Sequence, residues 1–143
     1  MLFGKRTQVV KRILVVEDEP LTAFDNETLI ESAGYEVVAT RDNVADALAI
    51  LDDHAVDLIL ADVKLSGARS GIDLARAAQK RGVPVLLATG RSPREAAEVA
   101  VGCLMKPYSA RVLKEAIRAV EDHLEGKSPK LPKGLELFPI AAA

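Results

Sequence analysis

Short runs of consecutive apolar residues recur along the chain and predict five β-strands. The runs cover residues 13–16, 36–39, 58–61, 83–88 and 103–105. Continuous rather than alternating apolar character indicates that a strand is buried on both faces, as it is in a parallel sheet. The hydrophobic pattern therefore favours a parallel sheet covered by helices on both sides.

Helical patterns lie between these runs and carry recognisable start and stop signals. Pro20 suits a first helical turn, and Gly34 suits the position just past a helix end. Asn43, Ser70 and Ser109 can each cap the N-terminus of a helix. The last helix has an apolar stripe at helical spacing, formed by Leu113, Ile117, Val120 and Leu124. Alternating strands and helices predict an α/β fold with a doubly wound sheet and right-handed crossovers.

The connection between the fourth and fifth strands is short. Only residues 92–100 can be helical there, and nine residues make about two and a half turns. We expect this helix to be the weakest element of the domain.

Three segments are predicted along the chain. Residues 1–11 form an N-terminal leader, residues 12–124 the folded domain, and residues 125–143 a polar linker with an apolar tail. The tail carries Leu135, Leu137, Phe138 and Ile140, which would make a sticky end if they were exposed. We expect it to dock on its own domain or on a partner, and a disordered terminus is the alternative.

Composition and charge exclude several classes of protein. A length of 143 residues suits one domain, and the single cysteine, Cys103, excludes an internal disulfide and fits a reducing compartment. No apolar run approaches the roughly 18 residues of a membrane span, so we expect a cytoplasmic protein without a membrane partner. A net charge of −2 and the absence of tryptophan argue against a nucleic-acid surface.

Polar residues end four of the predicted strands. Glu17 and Asp18 follow the first, Asp62 the third, Thr89 the fourth and Lys106 the fifth. The carboxyl ends of parallel strands share one edge of a sheet, where open α/β folds place their sites. Adjacent carboxylates repel unless a cation lies between them, and Mg²⁺ prefers oxygen ligands. The sequence predicts a Mg²⁺ and phosphoryl site at this edge.

Each of these residues also has a structural interpretation when it is taken alone. Glu17 and Asp18 could be acids favoured by a helix dipole, and Asp62 could cap a loop. The chemical interpretation is that the Asp62 carboxylate attacks phosphorus, Lys106 holds the phosphate as a point charge and Thr89 offers a hydroxyl donor. The joint pattern is much more specific than its parts.

The order acid-acid, acid, threonine, Lys-Pro at successive strand ends resembles the receiver domain of two-component response regulators, over about residues 12–124. The resemblance implies a flavodoxin-like (CheY-like) fold with a five-stranded parallel sheet of order 2-1-3-4-5. It implies that Lys106 precedes Pro107 through a peptide bond that is usually cis. The implied site comprises the phospho-acceptor Asp62, the switch hydroxyl of Thr89, the phosphoryl partner Lys106, and the Mg²⁺ ligands Glu17, Asp18, Asp62 and the Lys64 backbone carbonyl.

Two positions depart from the usual receiver pattern. Receivers usually carry Tyr or Phe three residues before the lysine, and Cys103 stands there in this chain. The run Leu87-Ala88-Thr89-Gly90 is similar to the Phe-Ala-Thr-Gly motif of a subclass of single-domain receivers, which also lack the aromatic residue. Leu87 replaces the phenylalanine of that motif.

The resemblance implies a stand-alone receiver that takes a phosphoryl group from a histidine kinase or phosphotransfer protein and signals to an unknown downstream protein. It implies no enzyme activity beyond Mg²⁺-dependent self-phosphorylation and dephosphorylation of Asp62. The alternatives are a phosphate sink, a small phosphatase or hydrolase that uses Asp62, and a degenerate receiver that is only an interaction module. His54 and His123 are expected to face solvent, and neither resembles a phosphorelay histidine.

Overall fold

Five parallel strands form the centre of the protein in a computed structural model, which describes residues 9–140. They are β1 (Arg12–Val16), β2 (Glu36–Arg41), β3 (Leu58–Asp62), β4 (Val85–Thr89) and β5 (Gly102–Met105). Their order in the sheet is β2-β1-β3-β4-β5, as predicted. A sixth strand, β6 (Leu135–Leu137), pairs antiparallel with β5. The predicted count of five strands was therefore one short, because three residues beside a proline give too little local signal to identify a strand.

Four helices connect successive parallel strands, a fifth lies between β5 and β6, and together they pack on both faces of the sheet. They are α1 (Pro20–Ser32), α2 (Val44–Asp53), α3 (Gly71–Lys80), α4 (Ala96–Val99) and α5 (Ala110–Leu124). The predicted caps are confirmed, since Asn43, Ser70 and Ser109 each accept a hydrogen bond from a backbone N–H of the first turn. None of the helices in the described part of the chain combines the length and apolar character needed to cross a bilayer.

Two hydrophobic cores lie on opposite faces of the sheet. Helices α1 and α5 cover the first core, in which Leu113 and Ile117 pack against alternate residues of the central strands. Helices α2, α3 and α4 cover the second, in which Leu74 and Val99 pack against the intervening strand residues. Because both faces of the parallel strands are covered, ligands are expected at the carboxyl ends of the strands and in the loops there.

Helix α4 is shorter than the sequence predicted. It has four residues instead of the nine that were available, and no side chain caps its N-terminus. The chain enters it through turns closed by long hydrogen bonds, such as the one of 3.4 Å from Ala97 N to Arg94 O. The face of the sheet beside β5 is therefore only partly covered by α4.

The apolar tail docks on its own domain. Phe138 lies 6% exposed in the core on the α4 side, and Leu135 lies 7% exposed in the core under α1 and α5. For residues 135–138, this confirms the prediction that the tail docks on its own domain, and it excludes the alternative of a disordered end. His123 Nε2 lies 2.6 Å from the carbonyl oxygen of Phe138. His123 is half-buried rather than fully exposed to solvent as expected, because α5 passes beside the tail, whereas His54 is exposed as expected.

Part of the predicted leader belongs to the folded unit. Val10 is fully buried, and the backbone N–H groups of Val9 and Val10 donate to the buried carboxylate of Glu121, at 2.7 and 3.0 Å. The leader stays a prediction for residues 1–8, which lie outside the described residues.

Candidate functional site

Three carboxylates meet at the carboxyl edge of the sheet. Glu17 and Asp18 follow β1 directly, and Asp62 ends the neighbouring strand β3. One carboxylate oxygen from each of the three lies within 4.8 Å of the others. Glu17 is buried, Asp62 is half-buried and Asp18 is exposed, so the cluster opens to solvent on one side. A set of carboxylate oxygens in this arrangement fits a hard divalent cation such as Mg²⁺.

Lys106 links two members of this cluster. Its Nζ donates to Asp62 Oδ2 at 3.0 Å and to Glu17 Oε1 at 3.2 Å. The peptide bond between Lys106 and Pro107 is cis, as the resemblance implied. One ammonium beside three carboxylates leaves a formal excess of two negative charges. The net negative charge of the cluster therefore favours the binding of a further cation.

Burial and charge have opposite effects on the pKa values of Glu17 and Lys106. Burial raises the pKa of Glu17, and although the Glu19 backbone N–H and the Lys106 charge oppose this, the pKa stays above its usual range. Burial alone would lower the pKa of Lys106, but the hydrogen bond and charge of Asp62, together with those of Glu17, outweigh it and raise the pKa. Lys106 is thus held as an ammonium ion directly beside Asp62.

Thr89 lies at this site, but its hydroxyl is engaged locally. The residue ends β4 next to β3, and it lines a groove of about 740 Å³ together with Asp62 and Lys106. The Thr89 hydroxyl donates to the Arg91 carbonyl oxygen at 2.9 Å and accepts from the Arg91 N–H at 3.2 Å. A new acceptor in the groove would therefore compete with a hydrogen bond inside the loop.

Cationic side chains surround the same groove. Lys64, Arg91 and Arg94 line it in addition to Lys106. Lys64 is exposed and follows Asp62 by two residues, and its backbone N–H points at Asp62 Oδ1 over 3.4 Å. The groove contains both the Asp62 carboxylate and several cationic side chains. This combination of charges suits the binding of an anionic group together with a metal cation.

Two residues that support the site were not identified from the sequence. The Tyr108 hydroxyl donates to Oδ1 of the buried Asn26 at 2.7 Å, and burial, with added effects of the Glu17 and Asp62 charges, raises the pKa of Tyr108. At Gly71 a Cβ atom would overlap the Asp62 backbone carbonyl, so α3 can begin against β3 only with glycine there. Two features of the sequence could have pointed to these residues. Tyr108 directly follows Lys106-Pro107, and Gly71 is the first residue of α3.

Cys103 stands three residues before Lys106, at the position named above as a departure from the usual pattern. It is 1% exposed in the core on the α4 side. Burial raises the pKa of its thiol, a hydrogen bond with Ser92 opposes that rise, and the charge of Glu136 adds to it. This position therefore holds a small, buried side chain that contacts the loop after β4.

Comparison with known proteins identifies relatives over most of the chain. A family model described as the response regulator receiver domain matches residues 13–118. The transcriptional regulatory protein PdtaR of Mycobacterium tuberculosis is 33% identical over 140 residues, which cover 90% of this chain and 68% of that protein. The chemotaxis protein CheY of Pseudomonas aeruginosa is 32% identical over 124 residues, which cover 80% of this chain and 99% of that protein.

Solved structures with the same fold cover the same region. A CheY-like receiver domain protein from Methanospirillum hungatei has a TM-score of 0.72 and 28% identity, over 82% of this chain and 98% of that one. The response regulator TrrA of Thermotoga maritima, solved in complex with Mg²⁺ and BeF, has a TM-score of 0.68 and 28% identity, over 77% of this chain and 98% of that one.

Proposed function

The chain belongs to the response regulator receiver family, and we propose that it receives a phosphoryl group on Asp62 from a histidine kinase or a histidine phosphotransfer protein. The observation that carries the proposal is the contact of 3.0 Å between the Lys106 ammonium and Asp62 Oδ2, within a cluster that also contains Glu17 and Asp18. Asp62 is the member of this cluster that ends a strand at the mouth of the groove.

The proposed reaction is an in-line displacement at phosphorus. An Asp62 carboxylate oxygen attacks, the P–N bond of the donor phosphohistidine breaks, and its electron pair returns to the imidazole nitrogen. Lys106 stays an ammonium ion and pairs with the phosphoryl group. Such catalysis depends on positioning and charge, and both come from side chains held at the ends of buried strands.

The acidic cluster supports a role for Mg²⁺. Its ligands would be Glu17, Asp18, Asp62 and the Lys64 backbone carbonyl. When bound, the ion supplies positive charge that offsets the charge on the phosphoryl oxygens. The excess of negative charge in the cluster and the raised pKa of the buried Glu17 are consistent with a site that gains from an added cation.

Thr89 is the proposed switch residue. A phosphoryl oxygen on Asp62 would offer its hydroxyl an acceptor in place of the Arg91 carbonyl. Breaking that local hydrogen bond changes the loop that leads into the four-residue helix α4, which has few anchors of its own. The output is then a change in protein binding at this side of the domain.

We assign the chain to the single-domain receivers similar to the Phe-Ala-Thr-Gly subclass. The run Leu87-Ala88-Thr89-Gly90 lies at the end of β4, and the buried Cys103 replaces the aromatic residue. With no aromatic side chain at that position, the signal from Thr89 has to pass through the backbone of the loop rather than through a ring.

Mass spectrometry of the intact protein tests the phospho-acceptor. With acetyl phosphate and Mg²⁺, we expect one phosphoryl group on the wild-type protein and none on Asp62→Asn. Asp53→Asn, an exposed acid at the end of α2, is the matched control and should be modified like the wild type. A full-strength adduct on Asp62→Asn would remove the assignment, and rapid Mg²⁺-dependent turnover of an aryl phosphate would instead favour a phosphatase.

A further inference from the structure

The outer edge of β5 is covered by the chain's own C-terminal segment, residues 134–140. Met105 N donates to Gly134 O at 2.8 Å, and Phe138 N donates to Val101 O at 2.9 Å. Between these bonds, three residues of β5 pair with the three residues of β6. Main-chain bonds of this kind accept any extended strand, whatever its side chains.

Side-chain sites on both faces of the edge supply selectivity. Leu135 fills a place in the core under α1 and α5, and Phe138 fills one in the core on the α4 side. The second site belongs to the same core as Cys103 and Ala100, on the side of the sheet where α4 has only four residues. The edge therefore fits a strand that carries an aliphatic residue and, three positions later, an aromatic residue.

Gly102 shows how closely the strand approaches. A Cβ atom there would overlap the Glu136 carbonyl oxygen and would lie 2.9 Å from Leu137 Cδ2. Glycine inside a strand weakens the strand itself, and it is typical of places where another backbone comes close. The edge of β5 is thus shaped for an added strand at the expense of its own stability.

Few residues attach the C-terminal segment to the β5 edge. Its strand has three residues, and the ten residues between α5 and β6 are mostly polar and contain Pro129 and Pro132. Besides the main-chain bonds to β5 and the two buried side chains, two hydrogen bonds that involve a side chain hold the segment: His123 Nε2 with Phe138 O at 2.6 Å, and Ser92 Oγ with Glu136 Oε1 at 3.2 Å. Because this strand is short and lies at the edge of the sheet, we expect its release to leave the pairing of the five central strands intact.

We propose that the β5 edge is a docking surface for a partner protein, and that the partner supplies an extended segment with a leucine followed three positions later by an aromatic residue. The C-terminal segment is the intramolecular occupant that this partner displaces. Ser92 connects the surface to the loop that begins at Thr89, so the surface adjoins the element that the phosphoryl site would move.

Competition decides how such a surface behaves. A tethered segment is present at an effective concentration of roughly millimolar, so it outcompetes most free peptides for the edge. The affinity of the edge for a strand in trans is therefore masked in the wild-type chain. It becomes measurable once the chain's own segment can no longer dock.

The test uses the full-length chain with the substitutions Leu135→Asp and Phe138→Asp, which empty both side-chain sites and leave the edge intact. A fluorescent peptide with the wild-type sequence of residues 134–140 is titrated, and its anisotropy is measured. We expect the double variant to bind the peptide at least about tenfold more tightly than the wild type. Adding Gly102→Ala to the double variant should abolish binding, because the Cβ blocks the approach.

A second comparison keeps the test decisive if the double variant does not fold. His123→Ala removes one anchor of the segment and leaves both cores intact, so it should also bind the peptide more tightly than the wild type. His54→Ala, at the exposed histidine, should not change binding.

Several outcomes would overturn the proposal. One is that the wild type and the Leu135→Asp, Phe138→Asp variant bind the peptide with equal affinity. Another is that the double variant still binds the peptide after Gly102→Ala has been added. A concentration-dependent dimer of the wild-type chain that the double variant cannot form would assign the edge to a second copy instead of a partner.

Discussion

The ammonium group of Lys106 lies 3.0 Å from Asp62 Oδ2, although the two residues are 44 positions apart in the sequence. The same nitrogen lies 3.2 Å from Glu17 Oε1. One cation therefore screens two carboxylates that would otherwise repel each other across the ends of β1 and β3. The stability of the metal-free fold and its response to Mg²⁺ should both depend on this lysine.

Lys106→Met should destabilise the metal-free protein by roughly 1–2 kcal/mol, because it leaves partly buried carboxylates without their cation. The melting temperature should then rise more on addition of Mg²⁺ than it does in the wild type. Lys64→Met, at an exposed lysine of the same groove, is the control and should change neither quantity appreciably. Thermal melts with and without Mg²⁺ provide the measurement, and equal shifts in all three proteins would count against the screening role.

Asp18→Asn should weaken Mg²⁺ binding by at least about tenfold, because it removes one of few charged ligands. The same change should raise the melting temperature of the metal-free protein by about 1–2 °C, since it relieves repulsion at an exposed site. Isothermal titration calorimetry and metal-free melts measure the two effects. Asp25→Asn, on the exposed part of α1, controls for the lost charge. Unchanged Mg²⁺ affinity in Asp18→Asn would give the acid pair another role.

Helix α4 should exchange its amide hydrogens fastest among the five helices. It has four residues, lacks a side-chain cap and buries only Ala96 and Val99. Low apolar burial gives low local stability, whereas α5 buries six residues along its length. Exchange measured by mass spectrometry should slow in α4 when beryllofluoride and Mg²⁺ are added. Protection equal to that of α5 before the addition would contradict this expectation.

The thiol of Cys103 should react slowly with Ellman's reagent in the native protein. Burial raises its pKa, which lowers the thiolate fraction at any given pH, and the side chain is only 1% exposed. The rate should keep increasing with pH beyond about 8.5, the usual thiol pKa. The full-length Leu135→Asp and Phe138→Asp variant should react faster, because β6, whose Glu136 pairs with Cys103, would no longer lie along β5. Equal rates would place the protection elsewhere.

The sequence alone determined the parts of the fold that have local causes. Apolar runs marked the central strands, and Asn43, Ser70 and Ser109 marked helix starts, because a cap or a buried strand depends on a few neighbouring residues. The prediction that Glu17, Asp62 and Lys106 meet at one edge also needed only the strand ends, since parallel strands carry them to the same side of the sheet.

Only the tertiary structure decided the contacts that have no local cause. The bond between Tyr108 and Asn26 joins residues 82 positions apart, and the contact between His123 and Phe138 depends on how the tail turns back along α5. The length of α4 and the use of the β5 edge by β6 both involve one core, in which Val99 of α4 and Phe138 of the tail are buried together. Such choices follow from the packing of distant segments, and a local pattern of apolar residues contains no information about which partner each will find.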